Sequence, residues 1–319
     1  MQDNGEIIHI SGDNTPELPE LKKEDSVEIL VEQFLAQHDV RKSSRDRYRK
    51  SLKGFLKWIK GKKIEQITRE YLLEYKEMLL AKGKSTMTVG AYLVSIRLFY
   101  EYLYQEYNIK NIAKGVASPK RTNKFEHKPL TEEQSSKLLE YFKDNLRDYA
   151  IINLMLRTGM RTIEIVRSNI GDIGEIGGKR CLYLQGKGRD DKKEYVLTTD
   201  KTLNPIKEYI KARPNFKEDE PIFISKSKNN FGERLTTKTI SLIARTGLDA
   251  IGLKGKDGYT AHSLRHTAAS IMLSRGISLD RIRSVFRHKN MSTTLGYATM
   301  ADERKRIEES PEAALDDAF

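Results

Sequence analysis

Four separated segments of the sequence carry side chains that can bind an anion, transfer a proton or act as a nucleophile. The residues concerned are Arg161, Lys187, His262, Arg265, His288 and Tyr297. Arginine guanidinium groups match phosphate oxygens with two parallel hydrogen bonds. A tyrosine hydroxyl becomes a nucleophile when a neighbour helps it to lose its proton, and an exposed lysine can protonate a leaving oxygen. Together these side chains could break a phosphodiester bond without a metal ion.

Two of these segments favour plainer interpretations when each is taken alone. Arg161 follows a glycine that separates two helical patterns, and a helix start favours an anion. The alternative is an arginine that pairs with a nearby carboxylate. Lys187 stands between Gly186 and Gly188, which let the backbone approach a ligand closely. The alternative is a solvated lysine in a turn, and the spacing is not that of a P-loop.

The third and fourth segments contain the histidines and the tyrosine. His262 and Arg265 are three positions apart, so they share one face of a helix. His262 and His266 have a spacing that can hold a metal ion, but no nearby cysteine, aspartate or glutamate completes a ligand set. The pattern therefore predicts no metal site, and no cofactor is expected. Taken alone, Tyr297 is typical of a half-buried helix residue, and His288 precedes it by nine positions.

Length and composition limit the class of protein. The 319 residues correspond to about two domains. A single cysteine, Cys181, excludes an internal disulfide framework and is typical of a reducing cytoplasm. No apolar run approaches the ~18–20 residues that span a bilayer, and the polar N-terminus is not a secretory signal. We therefore expect a soluble cytoplasmic protein that does not act at a membrane.

The charge is basic overall and unevenly distributed. The formal net charge is +12, and residues 41–63 contain eleven lysines and arginines against one acid, Asp46. After Arg306 the remaining charged residues are all acidic. A concentrated basic stripe favours a polyanion such as nucleic acid, and the alternative is the solvated face of a basic helix.

The elements that must position these residues form two helical regions around a basic break. In the first, apolar residues repeat at helical spacing in four segments, the last over about Thr86–Tyr107. In the second, Thr131 and Gln134 have the spacing of a capping box, and two apolar runs around a turn predict a hairpin over Cys181–Leu184 and Glu194–Leu197. The predicted boundaries are a flexible leader at 1–22, an all-helical domain at 23–112, a basic linker at 113–128, a larger domain at 129–309 and an acidic tail at 310–319.

The order and spacing of the four segments resemble the tyrosine recombinase family of the phage integrase type, close to its Xer-like and mobile-element members. The segments that carry the resemblance are Thr-Gly-Met-Arg161-x-x-Glu164, Gly-Lys187-Gly, His262-x-x-Arg265-His-Thr, and His288 with Tyr297. The similarity covers about residues 24–310. It implies a mainly α fold with a small β-sheet or hairpin: an N-terminal all-α, SAM-like core-binding domain followed by an α+β catalytic domain.

The resemblance also implies a role for each residue. Arg161 and Arg265 would hold the scissile phosphate, and His288 would donate a hydrogen bond to it. Tyr297 would attack the phosphorus with the help of His262, and Lys187 would protonate the 5′ oxygen. Glu164 would brace the site rather than react. The 3′-phosphotyrosyl link conserves the bond energy, so neither ATP nor a metal ion is required.

Members of this family act as tetramers on two DNA duplexes and exchange strands through a Holliday junction. The expected partner is therefore duplex DNA with a specific inverted-repeat core site, in integration and excision or in resolution, in the cytoplasm at the nucleoid. Candidate DNA contacts are Arg45, Arg47, Arg49, Lys50, Lys120 and Arg121.

The acidic C-terminal tail contains the apolar residues Ala313, Leu315 and Phe319. This pattern suits docking onto a neighbouring subunit, and the alternative for this tail is disorder.

One departure and two alternatives accompany this interpretation. The family often has Leu-Gly before the histidine that corresponds to His288, whereas this chain has Phe286-Arg287. The change either alters the geometry of the site or adds a phosphate contact, and it removes no catalytic group. A catalytically silent DNA-binding relative is disfavoured because the set of six residues is intact. A type IB topoisomerase-like nicking enzyme is disfavoured by the acidic C-terminal segment.

Overall fold

The computed structural model describes residues 26–59, 61–120, 127–186, 191–213, 216–287 and 295–296. The chain divides into two compact units, residues 1–123 and 124–319. Within the described ranges, no helix is both long enough and apolar enough to cross a membrane.

The described part of the first unit is helical. Its elements are α1 (Val27–Gln37), α2 (Lys42–Ile59), a 3₁₀ turn (Ile64–Gln66), α3 (Arg69–Ala81) and α4 (Thr86–Tyr107). Helix α4 begins where the Ser85 hydroxyl accepts a hydrogen bond from the Thr88 N–H (3.2 Å), and it ends at Asn108 in the left-handed conformation (φ 52°). Both ends are therefore defined by local residue chemistry, as the sequence pattern indicates.

The core of the first unit is rich in aromatic side chains. Phe34, Phe55, Phe99 and Tyr100 are fully buried, and α2 packs along α4. On α2 the apolar residues face this core while most of the basic side chains lie on the exposed side. Burial of one face therefore forces the basic stripe into solvent.

The segment assigned to a linker begins inside this core. Ala113 and Val116 are buried among the apolar residues of the first unit. The Arg69 guanidinium donates to the carbonyl oxygens of Lys114 (2.9 Å) and Gly115 (3.2 Å). Arg97 likewise donates to the Val116 carbonyl oxygen (2.9 Å). The packed part of the first unit therefore extends to Val116.

The second unit combines helices with a small sheet. Its helices are α5 (Glu132–Tyr141), α6 (Leu146–Thr158), α7 (Thr162–Arg167), α8 (Asp200–Lys211), α9 (Thr237–Ala250), α10 (Ala261–Ser274) and α11 (Leu279–Phe286). Helix α5 begins with the predicted capping box between Thr131 and Gln134. Helix α6 is buried almost all round and packs against α8 and α10, so it forms the centre of this unit.

The sheet consists of three antiparallel strands in the order β1 (Ile173–Ile176), β2 (Lys179–Leu184) and β3 (Glu194–Leu197). Gly177 and Gly178 join β1 to β2 with φ values of 54° and 72°, which suit a tight two-residue hairpin turn. The predicted hairpin corresponds to β2 and β3, whose last pair is Leu184 with Glu194. Strand β1 was not predicted from the sequence. The expected fold class, mainly helical with a small sheet, is confirmed.

Candidate active site

Arg161 lies in the turn between α6 and α7. Gly159 ends α6 in the left-handed conformation (φ 61°), and Arg161 precedes the first residue of α7. Its backbone N–H and its Nη1 donate to the two carboxylate oxygens of Glu164, each at 2.8 Å. The carboxylate pairing considered as an alternative is therefore present. The Arg161 side chain nevertheless keeps 25% of its surface exposed, so its remaining donors can reach a ligand.

Glu164 is fully buried between two arginines. Besides Arg161, it accepts a hydrogen bond from Nη2 of Arg287 at 2.8 Å. Burial acts to raise the pKa of this carboxyl group. The Arg287 guanidinium, followed by the backbone N–H and the guanidinium of Arg161, outweighs burial and holds the pKa below its usual value. Glu164 is therefore an anion that fixes two cations.

Arg265, on α10, is held from two sides. The side chain is almost completely buried, and its Nη1 donates to the Gly159 carbonyl oxygen. Nη2 donates to the Phe286 carbonyl oxygen at 2.6 Å, and the guanidinium carbon lies 4.5 Å from the centre of the Phe286 ring. The two carbonyls and the ring therefore determine the orientation of this guanidinium plane.

His262 begins α10 beside two other histidines. The centre of its ring lies 5.3 Å from that of His127 and 4.9 Å from that of His266. Although the residue as a whole is exposed, the protein around the ring desolvates it and lowers its pKa to about 4, with further contributions from His127, Arg265 and Arg161. At neutral pH the His262 ring is uncharged and can accept a proton.

The arrangement of the histidines is stabilised by Thr260, the residue before α10. The Thr260 hydroxyl lies 3.2 Å from Nδ1 of His127 and accepts a hydrogen bond from the His262 backbone N–H. Among the residues that the structure describes, no three histidine, cysteine, aspartate or glutamate side chains are placed to hold a metal ion.

The described flanks of the β2–β3 hairpin are anchored to the body of the second unit. Arg167 donates to the Gly186 carbonyl oxygen at 3.3 Å, and Lys192 forms an ion pair with Asp172 at 2.6 Å. Lys187, which is predicted from the sequence to lie in this turn, is outside the described residues. His288, Tyr297 and Arg121 also lie outside them.

The structure thus brings together three of the six predicted catalytic residues. Arg161 and Arg265 are near enough to His262 to lower its pKa, and Arg265 contacts the backbone two residues before Arg161. Two further residues of this cluster were missed as site residues: His127, which the sequence places in a linker, and Arg287, which is 123 positions from its partner Glu164. The sequence did single out Phe286-Arg287 as unusual, but spacing alone could not predict their contacts.

The candidate DNA contacts of the first unit differ in their surroundings. Arg47 and Lys50 are exposed on α2, whereas Arg45 donates to the His38 carbonyl oxygen at 3.4 Å. Arg49 is exposed but forms two hydrogen bonds with Glu32, at 2.9 and 3.0 Å. Lys120, after the packed part of this unit, is also exposed.

Both units match known protein families. Residues 128–304 match the phage integrase family, and residues 30–107 match the phage integrase N-terminal SAM-like domain. A curated relative, tyrosine recombinase XerC of Caldanaerobacter subterraneus, is 33% identical over 253 residues, which cover 76% of this chain and 68% of the relative.

Solved structures share the fold at low sequence identity. The XerH recombinase in a post-cleavage complex with palindromic difH DNA has a TM-score of 0.70 at 18% identity, covering 90% of this chain and 85% of that chain. A lambda integrase tetramer bound to a Holliday junction has a TM-score of 0.65 at 15% identity, covering 86% and 77%. The family matches, the XerC relative and this fold agree. The chain therefore belongs to the phage integrase family as a tyrosine recombinase of the Xer and integrase type, a class of enzyme that cleaves and rejoins DNA in site-specific recombination.

Proposed function

We propose that this chain recombines two inverted-repeat core sites as a tetramer, in two strand exchanges that pass through a Holliday junction, in integration and excision or in resolution. The observation that carries the proposal is the cluster of Arg161, Arg265 and His262, in which two guanidinium groups have fixed orientations beside an uncharged imidazole. A scissile phosphate needs donors of this kind where negative charge develops.

The proposed reaction transfers a phosphoryl group without a net input of energy. The Tyr297 hydroxyl oxygen attacks the phosphorus, the bond to the 5′ oxygen breaks, and a 3′-phosphotyrosyl bond forms. His262 assists removal of the phenol proton, and Lys187 supplies a proton to the departing 5′ oxygen. His288 donates to a phosphate oxygen. In the second transesterification, a 5′ hydroxyl of the partner strand displaces the tyrosine and restores a phosphodiester.

The first test is covalent capture. A binding site is selected from random duplexes with the purified protein, and a nicked version of that site is then incubated with the protein and run on a denaturing gel. We expect an adduct that forms in the presence of a chelator and is absent from Tyr297→Phe, while Tyr297→Phe binds the DNA normally.

The other results of this experiment would redirect the proposal. Tight binding by the wild type without an adduct would indicate a catalytically silent DNA-binding relative. An adduct that leads to relaxation of supercoiled DNA but never to recombinants between two sites would indicate a type IB topoisomerase-like nicking enzyme. Adduct formation by Tyr297→Phe would assign the nucleophile to another residue.

For binding, we propose that basic side chains of both units contact DNA phosphates. In the first unit these are Arg45, Arg47, Arg49 and Lys50 of α2, and Lys120 and Arg121, which follow Val116 in the sequence. The net charge of +12 supports a polyanionic partner. Each neutralised phosphate contributes about −0.9 to the slope of log affinity against log salt concentration. A flat salt dependence would contradict these contacts.

For assembly, we propose that the C-terminal segment of one subunit docks on the second unit of its neighbour. A groove on the second unit is lined by apolar residues of several helices: Leu139, Leu156, Ala268, Ile271, Met272 and Ile277. Arg157 and Arg275 also line it, together with Glu132, whose carboxylate lies 3.1 Å from Nη2 of Arg275. Apolar residues among acids, as in residues 308–319, complement an apolar groove that carries two arginines and one glutamate.

Deletion of residues 308–319 tests this docking. We expect the truncated chain to bind a single half-site with unchanged affinity but to form fewer complexes that join two duplexes, as measured by gel mobility and light scattering. Substitution of Ile271 in the groove by aspartate should weaken assembly in the same way, because it places a charge on the apolar surface. Unchanged assembly in both variants would refute the docking.

A further inference from the structure

The dipeptide Phe286-Arg287 at the end of α11 is linked to both arginines of the candidate active site, to Arg265 directly and to Arg161 through Glu164. Arg287 reaches the carboxylate that binds Arg161, and Phe286 supplies both a carbonyl oxygen and a ring face to Arg265. Arg287 thus connects the end of α11 to α7, and Phe286 connects it to α10.

Arg287 adopts a backbone conformation that an L-residue rarely takes. Its φ is 53°, in the left-handed region, where a side chain costs energy that glycine does not. Such a conformation persists where the surroundings hold it in place. Here Nη2 of Arg287 lies 2.8 Å from Glu164 and its Nε lies 3.7 Å from Glu194, while the side chain is only 8% exposed. The strained residue is therefore fixed by two carboxylates.

These two carboxylates belong to the elements that flank the site. Glu164 is on α7, three residues after Arg161, and it binds that arginine with both oxygens. Glu194 is the first residue of β3, the strand that follows the turn with Lys187. Arg287 therefore connects the helix that positions Arg161 with the hairpin strand.

Phe286 makes a contact that also depends on a neighbouring glycine. A Cβ atom added at Gly159 would lie 2.6 Å from ring carbons of Phe286, so the ring packs where only glycine leaves room. The Gly159 carbonyl oxygen and the Phe286 carbonyl oxygen then receive two N–H groups of the same Arg265 guanidinium. The contacts form a closed path from Arg161 through Glu164, Arg287, Phe286 and Arg265 back to the turn before Arg161.

We propose that Arg287 is a positioning residue for DNA cleavage: it holds the Glu164 carboxylate so that Arg161 is aligned on the scissile phosphate, while Phe286 aligns Arg265. This inference rests on the proposed contacts of Arg161 and Arg265 with that phosphate. Without Arg287, the buried carboxylate keeps a single cationic partner, and its pKa moves back toward or above the ordinary value. Arg161 then loses the fixed anion that orients it.

The test measures adduct formation and DNA binding separately. Arg287→Gly removes the guanidinium but suits the left-handed backbone, and Arg287→Lys keeps the charge without the planar fork. We expect the single-turnover rate of adduct formation on the nicked site to fall by about 10- to 100-fold in Arg287→Gly, because small misplacements at a reacting centre have effects of that size. The affinity for intact DNA should stay within about twofold, and Arg287→Lys should recover part of the rate.

A double-mutant cycle with Glu164→Gln shows whether Arg287 acts through the carboxylate. We expect Arg287→Gly to slow the Glu164→Gln protein by less than about twofold, although it slows the wild type strongly. The matched control is Arg180→Ala, which removes one positive charge from an exposed ion pair with Asp200 and should leave the rate unchanged. Phe286→Leu should slow the reaction separately, and its effect should add to that of Glu164→Gln.

Each result decides between the proposals. Equal adduct rates in wild type, Arg287→Gly and Arg287→Lys would overturn the positioning role and leave the proposed function intact. An equal loss in both Glu164 backgrounds would overturn the pathway through Glu164. A wild type that forms no Tyr297-dependent adduct would overturn the proposed function and the positioning role with it. If Arg287→Gly lacks a cooperative thermal transition, the rate of Arg287→Lys against wild type makes the same decision.

Discussion

Two groups of arginine–glutamate ion pairs lie in opposite surroundings in this protein. In the first unit, Arg49 binds Glu32 with two hydrogen bonds near 2.9 Å, and both side chains are about half exposed, at 44% and 59%. In the second unit, Arg161 and Arg287 bind Glu164 at 2.8 Å, and the carboxylate is fully buried. The hydrogen bonds have similar lengths in the two groups, two on Glu32 and three on Glu164, so burial is the main difference between them.

The difference in burial changes what each group can do. Solvent screens the exposed pair, so its two partners separate at little cost and Arg49 remains able to bind another anion. The buried carboxylate cannot exchange its partners for water, so removal of one arginine leaves it with a single cationic partner, and removal of the carboxylate leaves two arginines without their shared anion. The first unit therefore displays its positive charge, whereas the second unit uses charge to fix the geometry of side chains.

The largest expected effect comes from removal of the buried Glu164 carboxylate. Glu164→Ala leaves two arginines near one another without their shared carboxylate, and we expect it to lower the free energy of unfolding by about 3–5 kcal/mol. Glu32→Ala should lower it by less than about 1 kcal/mol. Urea unfolding of both variants, followed by circular dichroism, measures the two values. Similar losses in the two variants would break the contrast between the pairs.

The next largest effect is expected at Arg265, the buried arginine of α10. Arg265→Lys keeps one positive charge but cannot bind the carbonyl oxygens of Gly159 and Phe286 while also presenting a planar fork to a phosphate. We expect the rate of adduct formation on a nicked site to fall by about 10²–10³-fold, the loss typical of one preorganised donor. Arg47→Lys, on the exposed face of α2, should leave that rate unchanged at saturating DNA. An unchanged rate in Arg265→Lys would show that this buried position does not need the planar guanidinium group.

The third effect is the titration of His262, whose ring lies beside these cations. Its pKa should be measured near 4 rather than 6.5 by the pH dependence of its NMR signals. Because His127 is one of the groups that lower this pKa, His127→Gln should raise the midpoint. A midpoint at or above 6.5 in the wild type would show that the ring is as solvated as the exposed side chains of the first unit.

The lowered pKa of His262 also makes the free energy of unfolding depend on pH. An unfolded chain protonates His262 near pH 6.5, whereas the folded ring takes up its proton only near pH 4. The stability contributed by the neutral ring is therefore complete above pH 6.5 and is lost as the pH falls toward 4. The urea midpoint should decline over this interval, and it should decline less in His262→Asn.

Local residue patterns predicted most of the fold. The bounds of α4 match the prediction because Ser85 caps its start and the apolar positions recur at helical spacing to Tyr107. The capping box at Thr131 and the β2–β3 hairpin were also predicted, since capping and turn chemistry act over a few residues. Strand β1 was missed because its four residues, Ile-Gly-Glu-Ile, do not alternate clearly, and only pairing with β2 makes them a strand.

The site was predicted less completely than the fold. The pairing of Arg161 with Glu164 follows from residues three positions apart at a helix start. The pairing of Glu164 with Arg287 joins positions 123 apart, so it depends on how α11 packs against α7. The separate environments of Arg47 and Arg49 could not be predicted either, because Glu32 on α1 approaches only one of them. The catalytic roles assigned to all six residues stay predictions from the family resemblance, and Lys187, His288 and Tyr297 lie outside the described residues.

A smaller effect tests whether the exposed face of α2 serves DNA affinity. Arg47→Ala and Lys50→Ala each remove one exposed cation, and each should reduce the slope of log affinity against log salt concentration by about 0.9 if it neutralises one phosphate. Filter binding or fluorescence anisotropy over a range of salt concentrations measures the slope. The thermal midpoint should hardly change in either variant. A stability loss as large as that expected of Glu164→Ala would contradict a purely electrostatic face.

The smallest expected effect concerns the exposed pair itself. Glu32→Gln removes the anion that competes with DNA for the Arg49 guanidinium, so the affinity for DNA should rise and the salt slope should steepen by up to about 0.9. The same substitution should change the free energy of unfolding by less than about 1 kcal/mol, because the pair is screened by water. A control, Glu77→Gln on α3, removes an exposed acid that pairs with a lysine of its own helix. If both variants bind DNA equally well, the gain reflects net charge alone, and Arg49 is not the contact that Glu32 restrains.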